Sequence, residues 1–344
     1  MKSIPTTLTA NVDINIPVTL DIRDFGAKQD ALFTGSDVTG TDASPALQAA
    51  LDSIPSNTPN PISVYVPRNT VFKTTVTLNH SVTFTGDGNL ALAGFPNSWF
   101  WPDSGIPFLL GAEIIDRTEQ YINVSFKSFS VRSKRLLVGA DWTTLQASGT
   151  RFFEAGRIRV TMNDCSFVYF DVAFNCQELI ATSFNQTSLS RCNIGLSMVD
   201  TGINGASSTS TTVSIMDCAF NGSQLSAIRS NNCNYLSIGG YTYFESLNDA
   251  QSYDSFRPDQ GGAVAIYFEG GSLIINSAYS EQISRGGILY FGHGGTKSTS
   301  RDICSISNFR AYLSDPVDAP NPAVFVIASA STFNFGHGNI IRCS

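Results

Sequence analysis

Charge is what this chain has least of. Only 14% of its 344 residues are Asp, Glu, Lys or Arg, against about 25% in an ordinary globular protein. The 21 basic residues form no cluster and are outnumbered by 28 acidic ones, for a net charge of -7. A nucleic-acid partner is therefore excluded, because a phosphate backbone demands a Lys/Arg face. Low charge together with 42% hydrophobic residues also excludes intrinsic disorder, which couples few apolar groups to much charge. Long apolar runs are missing too. No stretch reaches the eighteen or so residues of a membrane helix, and Met1–Leu8 has neither an apolar core nor a small-residue cleavage site, so neither membrane insertion nor a secretory signal is expected. The seven cysteines include no CxxC pair, which removes the close thiolates of a zinc site. Their odd number in a chain without an export signal reads as reduced, buried, structural thiols. No metal and no cofactor is expected.

Helical periodicity is scarce as well. One segment carries it: Asp42 as N-cap, Pro45 in the first turn, Ala46, Leu47, Ala50, Leu51 and Ile54 on one face, and Pro55 as the stop. The remainder reads as short strands separated by Asn, Gly, Ser and Asp turns, beginning with Ile62–Pro67, Val71–Leu78 and Ser81–Phe84. The window 93–108, with Phe95, Trp99, Phe100, Trp101 and Phe108 among Gly and Pro, reads as a loop insertion. It would form either a small satellite core or an aromatic platform for a sugar or a neighbouring subunit.

The strands recur. Met162–Phe167 is echoed by Met216–Phe220, and Phe184–Leu189, Tyr241–Ser246 and Ser277–Gln282 have the same shape. With Phe167, Leu189, Phe220, Phe244 and Tyr279 as equivalents, the intervals are 22, 31, 24 and 35 residues. A period near 22 with variable insertions marks a solenoid whose rungs carry loops of unequal length. Phe, Ile, Val and Cys would then stack inside and Ser, Thr and Asn outside, which accounts for the low charge.

The opening unit now carries a resemblance. Asp24-Phe25-Gly26-Ala27, Asp30, Thr41-Asp42, Ala46–Leu51 and Val64-Tyr65-Val66-Pro67 resemble the N-terminal cap of the pectate-lyase-like superfamily, closely over about residues 20–80 and loosely, through the rungs, to the end. The resemblance implies an all-β fold, a right-handed single-stranded parallel β-helix with an N-terminal capping α-helix. The organisation is then an attachment arm over 1–20, a cap with its helix over 21–60 and the β-helix over 61–344. Within the superfamily the bacteriophage tailspike and tail-fibre branch fits best. It implies a homotrimer in the virion tail, assembled in the host cytoplasm, that meets other virion tail proteins and a bacterial surface polysaccharide. The alternatives are a non-catalytic virion structural or adhesion protein of the same fold, and a pectinase-like enzyme.

Catalysis would need carboxylates. Parallel rungs lie about 4.8 Å apart, so carboxylates at one place on successive rungs would be about 5 Å apart, near the spacing of retaining glycosidases. Glu245 and Glu281 follow equivalent aromatics, and Asp254 sits in the loop between them with Asp249 and Asp259. Glu245, Glu281 and Asp254 are the catalytic candidates, and Tyr243, Tyr253 and Tyr279 the substrate-binding ones. The competing reading makes these acids turn-capping or solvated groups, with Asp164, Asp217 and Glu269 as further carboxylates. Enzyme activity is left open: hydrolysis of a polysaccharide ranks ahead of elimination. The tetrapeptides Phe291–Gly294 and Phe335–Gly338 contain Gly-His-Gly, which resembles one element of the polygalacturonase branch. The other elements of that branch are absent, and the two copies read as turns. Asp315 and Asp318 beside Arg310 are too sparse for a calcium site. Arg132, Lys134 and Arg135 read as a solvated basic face.

Overall fold

The alternation of apolar and polar residues in these short strands can be buried only by stacking strand on strand. The structure, a computed structural model, shows that stacking for residues 18–34, 37–55, 61–88, 98–103, 105–111, 121–133, 149–199, 209–223, 225–231, 233–245, 264–269, 271–281, 287–292, 302–314, 325–327, 330 and 332–343. Residues 1–17, which hold most of the expected arm, lie outside these described residues. Twenty-six strands form one continuous sheet, and every pairing in it is parallel, from Thr19–Asp21 on Ile62–Tyr65 to Phe309–Ser314 beside Gly338–Cys343. The chain thus coils as a parallel β-helix, each rung resting on the one before it.

Each turn of the coil contributes to three walls. One wall carries Thr211–Met216, Tyr235–Gly239 and Ser272–Asn276 in succession. The next carries Ala219–Asn221, Thr242–Glu245 and Ala278–Glu281, and the third Ser226–Ser230, Val264–Glu269 and Gly287–Gly292. The corner between the first two walls repeats one device. Ser128, Asp164, Gln186, Asp217, Gly240, Ser277 and Asn308 all have φ between 48° and 67°, a left-handed residue that turns the strand. Asn, Asp and Gly take that conformation most cheaply, which is why polar residues punctuate the sequence here.

Inside, like stacks on like. Phe84 lies over Phe126 with centroids 5.3 Å apart, Phe220 over Phe244 at 5.3 Å, and Phe268 over Phe291 at 5.7 Å, each pair nearly coplanar in orientation. Phe126, Phe152, Phe167 and Phe174 interlock edge-to-face or tilted, Phe152 and Phe167 at 4.1 Å. Such pairs add about 0.5–1.5 kcal/mol beyond the area they bury. Six cysteines, Cys165 to Cys304, are free and buried in the same interior, which agrees with their reading as structural thiols.

The helix runs Ser44–Asp52, buries Ala46, and sets Leu47, Ala50 and Leu51 in that core, with Ile54 just beyond its end. Its N-cap is Ala43 rather than Asp42. Asp42 stands one residue further out, where its carboxylate accepts from the Ser44 amide and hydroxyl and from the Lys73 amide, so it ties the helix start to a neighbouring strand. Gln48 grips the Thr77 backbone from both sides.

Three further expectations are corrected. Within the window 93–108 the described parts are not a loop: Ser98–Phe100 and Pro107–Gly111 are rung strands, with Phe100 and Phe108 in the main core, while Trp99 and Trp101 form the expected small satellite core with Val38 and Val71. Arg132 is no part of a solvated face. Its guanidinium packs over Phe33, Trp99 and Tyr169, 4.7 Å from the last, while Lys134 and Arg135 lie outside the described residues. Finally, the partner of Phe244 is Ser280, not Tyr279. The inward position on that rung is filled by a serine, and both tyrosines of the pair Tyr243 and Tyr279 point outward.

Candidate functional site

That shift of one residue assembles the site. On the wall containing Thr242–Glu245 and Ala278–Glu281, inward Phe244 and Ser280 are buried, and the residues on either side of them face out. Two outward columns result. One runs Asn221, Glu245, Glu281, and the other Tyr243, Tyr279, Arg310. Rungs spaced by about 4.8 Å put the two glutamates side by side. Glu245 and Glu281 of the first column and the whole second column line a groove of about 900 Å³, which continues over Asn308, Phe309, His337 and Gly338 on the following rungs.

The carboxylates are oriented by their neighbours. Asn221 Nδ2 donates to Glu245 Oε2 at 3.0 Å, and the Tyr279 hydroxyl donates to Glu281 Oε2 at 2.8 Å. Burial, with the Glu245 charge beside it, pushes the Tyr243 phenol above its ordinary range, so that hydroxyl stays protonated and able to donate. At the lip, Asp217 accepts from the Tyr241 amide at 2.8 Å. A side chain at Gly240, whose φ is +67°, would overlap that carboxylate. Glycine there lets the corner close on Asp217, and Tyr241 is left 90% exposed over the groove.

Arg310 is the odd arginine. Arg23, Arg68, Arg151 and Arg157 are ion-paired, Arg159 donates to a carbonyl and Arg191 to a phenol, and Arg132 and Arg229 lie over aromatic rings. Among the arginines whose side chains are described, Arg310 alone is exposed with no such partner, and it lines the groove. The groove thus combines two adjacent carboxylates, tyrosine faces, one free guanidinium and an imidazole. Paired carboxylates can protonate and displace at an acetal carbon, and flat phenol rings suit the apolar faces of sugar rings.

Of the residues singled out in the sequence, Glu245, Glu281, Tyr243 and Tyr279 meet in this groove. Asp254 and Tyr253 lie outside the described residues, as do Asp249, Asp259 and His293. Asp164 and Asp217 are corner residues, and Glu269 is on another wall, accepting from the Tyr267 hydroxyl at 2.6 Å. Sequence reasoning did not place Arg310 or His337 in the site. The signal was present: Arg310 follows Tyr279 by 31 residues, the same step that carries Leu189 to its partner Phe220. Among the described residues no three His, Cys, Asp or Glu side chains converge as a metal cage requires.

No protein-family model and no curated protein matches the chain. Solved structures do. ORF18 of Geobacillus virus E2 is 15% identical with a TM-score of 0.54, the match covering 95% of this chain and 61% of that one. This chain therefore spans about three fifths of the phage protein's length. DFA-IIIase from Arthrobacter chlorophenolicus A6 in complex with GF2 is 12% identical with a TM-score of 0.59, over 96% of this chain and 88% of that one. The same enzyme with DFA-III gives 12% and 0.55, over 94% and 84%. At such identities the likeness is one of fold.

Proposed function

We propose that this chain is a subunit of a phage tailspike or tail fibre whose groove binds a bacterial surface polysaccharide and hydrolyses it. The observation that carries the reading is the register pair Glu245 and Glu281 in a groove walled by Tyr243 and Tyr279. The fold shared with a phage protein and with an enzyme supports it. In this reading the coil is right-handed, the helix Ser44–Asp52 closes its N-terminal end, and three copies stand together in a virion tail against other tail proteins.

The register pairing of the two carboxylates, about one rung of 4.8 Å apart, supports hydrolysis. One glutamate, protonated, gives its proton to the glycosidic oxygen as that bond breaks. The other, ionised, adds to the anomeric carbon. Water then replaces the enzyme carboxylate, losing its proton to the first glutamate, so one water is consumed and one new reducing end forms. The Tyr243 and Tyr279 rings hold the sugars beside the pair.

The test is to incubate the purified chain with a panel of bacterial capsular and O-antigen polysaccharides and to follow binding, new reducing ends and the absorbance of unsaturated uronates. Reducing ends without that absorbance are expected. Binding without any product would replace the enzyme with an adhesion protein of the same fold, and absence of binding to every polymer would remove the glycan role.

A further inference from the structure

Resting on the glycan-binding reading above, we infer that the polymer this groove takes is anionic, and that Arg310 clamps an acidic group on a sugar next to the Glu245–Glu281 pair. The argument begins with the carboxylates. A free guanidinium in a groove with two glutamates should swing onto one of them, yet neither is within ion-pair distance of Arg310, whereas four other arginines have such partners. Each glutamate is instead held by a neutral donor on its own side of the groove, Glu245 by Asn221 and Glu281 by Tyr279. Arg310 is left exposed where it lines the groove.

A guanidinium presents five N–H groups in a rigid fork that matches carboxylate, phosphate or sulfate, and it binds them bidentately. Neutral hydroxyls would use that fork poorly. Position then narrows the ligand. Arg310 is the register partner of Tyr279 and stands in the tyrosine column, one rung of about 4.8 Å beyond it. An acidic substituent held there belongs to the ring stacked on Tyr279 or to its immediate neighbour. His337 lines the same groove and brings no negative charge to it.

The same polysaccharide panel, sorted into neutral, carboxylate-bearing and phosphate-bearing polymers, tests the inference. The protein is expected to bind anionic members only. Binding to a uronic polymer should vanish when its carboxyl groups are reduced to alcohols, and binding to a phosphate polymer should vanish when the phosphate is removed; whichever treatment acts identifies the group. Arg310→Gln should weaken binding about ten-fold or more, as expected for loss of charge-assisted hydrogen bonds, while Arg159→Gln on another wall leaves it unchanged. Arg310 has no partner to lose, so the melting temperature of Arg310→Gln should equal that of the parent. Binding of neutral polymers, or binding that survives neutralisation or Arg310→Gln, overturns the inference and leaves the glycan-binding reading standing. Failure to bind any polymer overturns both.

Discussion

Glu245 and Glu281 are direct partners across two parallel strands, although 36 residues separate them in the chain. If they act together in hydrolysis, Glu245→Gln and Glu281→Gln should each lower product formation by about 10²–10⁴-fold while polymer affinity and melting temperature hold. Reducing-end assays beside calorimetric binding check this. Unchanged turnover in either variant would remove that residue from the chemistry.

Tyr241 offers a surface test of the groove. It is 90% exposed and lines the lip, so Tyr241→Ala should weaken polymer binding several-fold, corresponding to about 0.5–1.5 kcal/mol for a stacked ring, with no change in thermal stability. Tyr235, 38% exposed on another wall, is the control, and Tyr235→Ala should bind normally. Equal losses from both would mean that the lip is not the binding surface.

Two glycines separate backbone strain from crowding. Gly26 has φ +99° with open space where a side chain would sit, whereas Gly271 has φ +71° and a Cβ there would overlap the Cys233 carbonyl oxygen. Gly26→Ala should cost about 1–2 kcal/mol from the left-handed conformation alone. Gly271→Ala should cost about 1–3 kcal/mol more. Denaturant midpoints compare them, and equal losses would show that the corner relaxes around the extra methyl.

The interior thiols predict an alkaline limit. Burial pushes Cys165, Cys192, Cys218 and Cys233 up to about 12, whereas unfolded thiols titrate near 8.5. Between these values the folded chain holds protons that the unfolded chain has released, so stability is fully present below about pH 8.5 and falls as pH rises toward 12. Each thiol steepens the fall by about 1.4 kcal/mol per pH unit. Melting temperatures across pH 7–11 should record it. At pH 8 an aromatic disulfide reagent should label at most one thiol of the native chain, leaving out these buried ones, and all seven after unfolding. Rapid native labelling of several would contradict the burial.

The solenoid was legible because stacking requires equivalent residues at equivalent places: Phe167, Leu189, Phe220 and Phe244 are consecutive register partners. The rule failed at the next rung. Aromatic was matched with aromatic, but the wall demands only that inward positions be apolar or small, and Ser280 fits between Phe244 and Ala311. The glutamates survived that slip because each follows its own tyrosine by two residues. Arg310 and His337 were noticed in the sequence but not grouped with the glutamates, because unequal loops hide which residues share a rung. Trp99 and Trp101 do form the small satellite core that was one reading of their window, but their strand was read as a loop because three residues among Gly and Pro carry too little alternation.

The strands Arg151–Val168 and Val172–Ser190 lie side by side for most of their length, Phe153 facing Phe174 and Phe167 facing Leu189. Here the molecule is nearly a screw, carried onto itself by one turn and one step along its axis. A shaft with that symmetry can be lengthened or shortened by whole turns without a new kind of contact, since each added turn repeats the interface already present. The reach from one end of the shaft to the groove is therefore quantised in steps of about 4.8 Å. Duplication or loss of a turn would move the groove nearer to or farther from whatever holds the other end, while the residues that line it kept their mutual places.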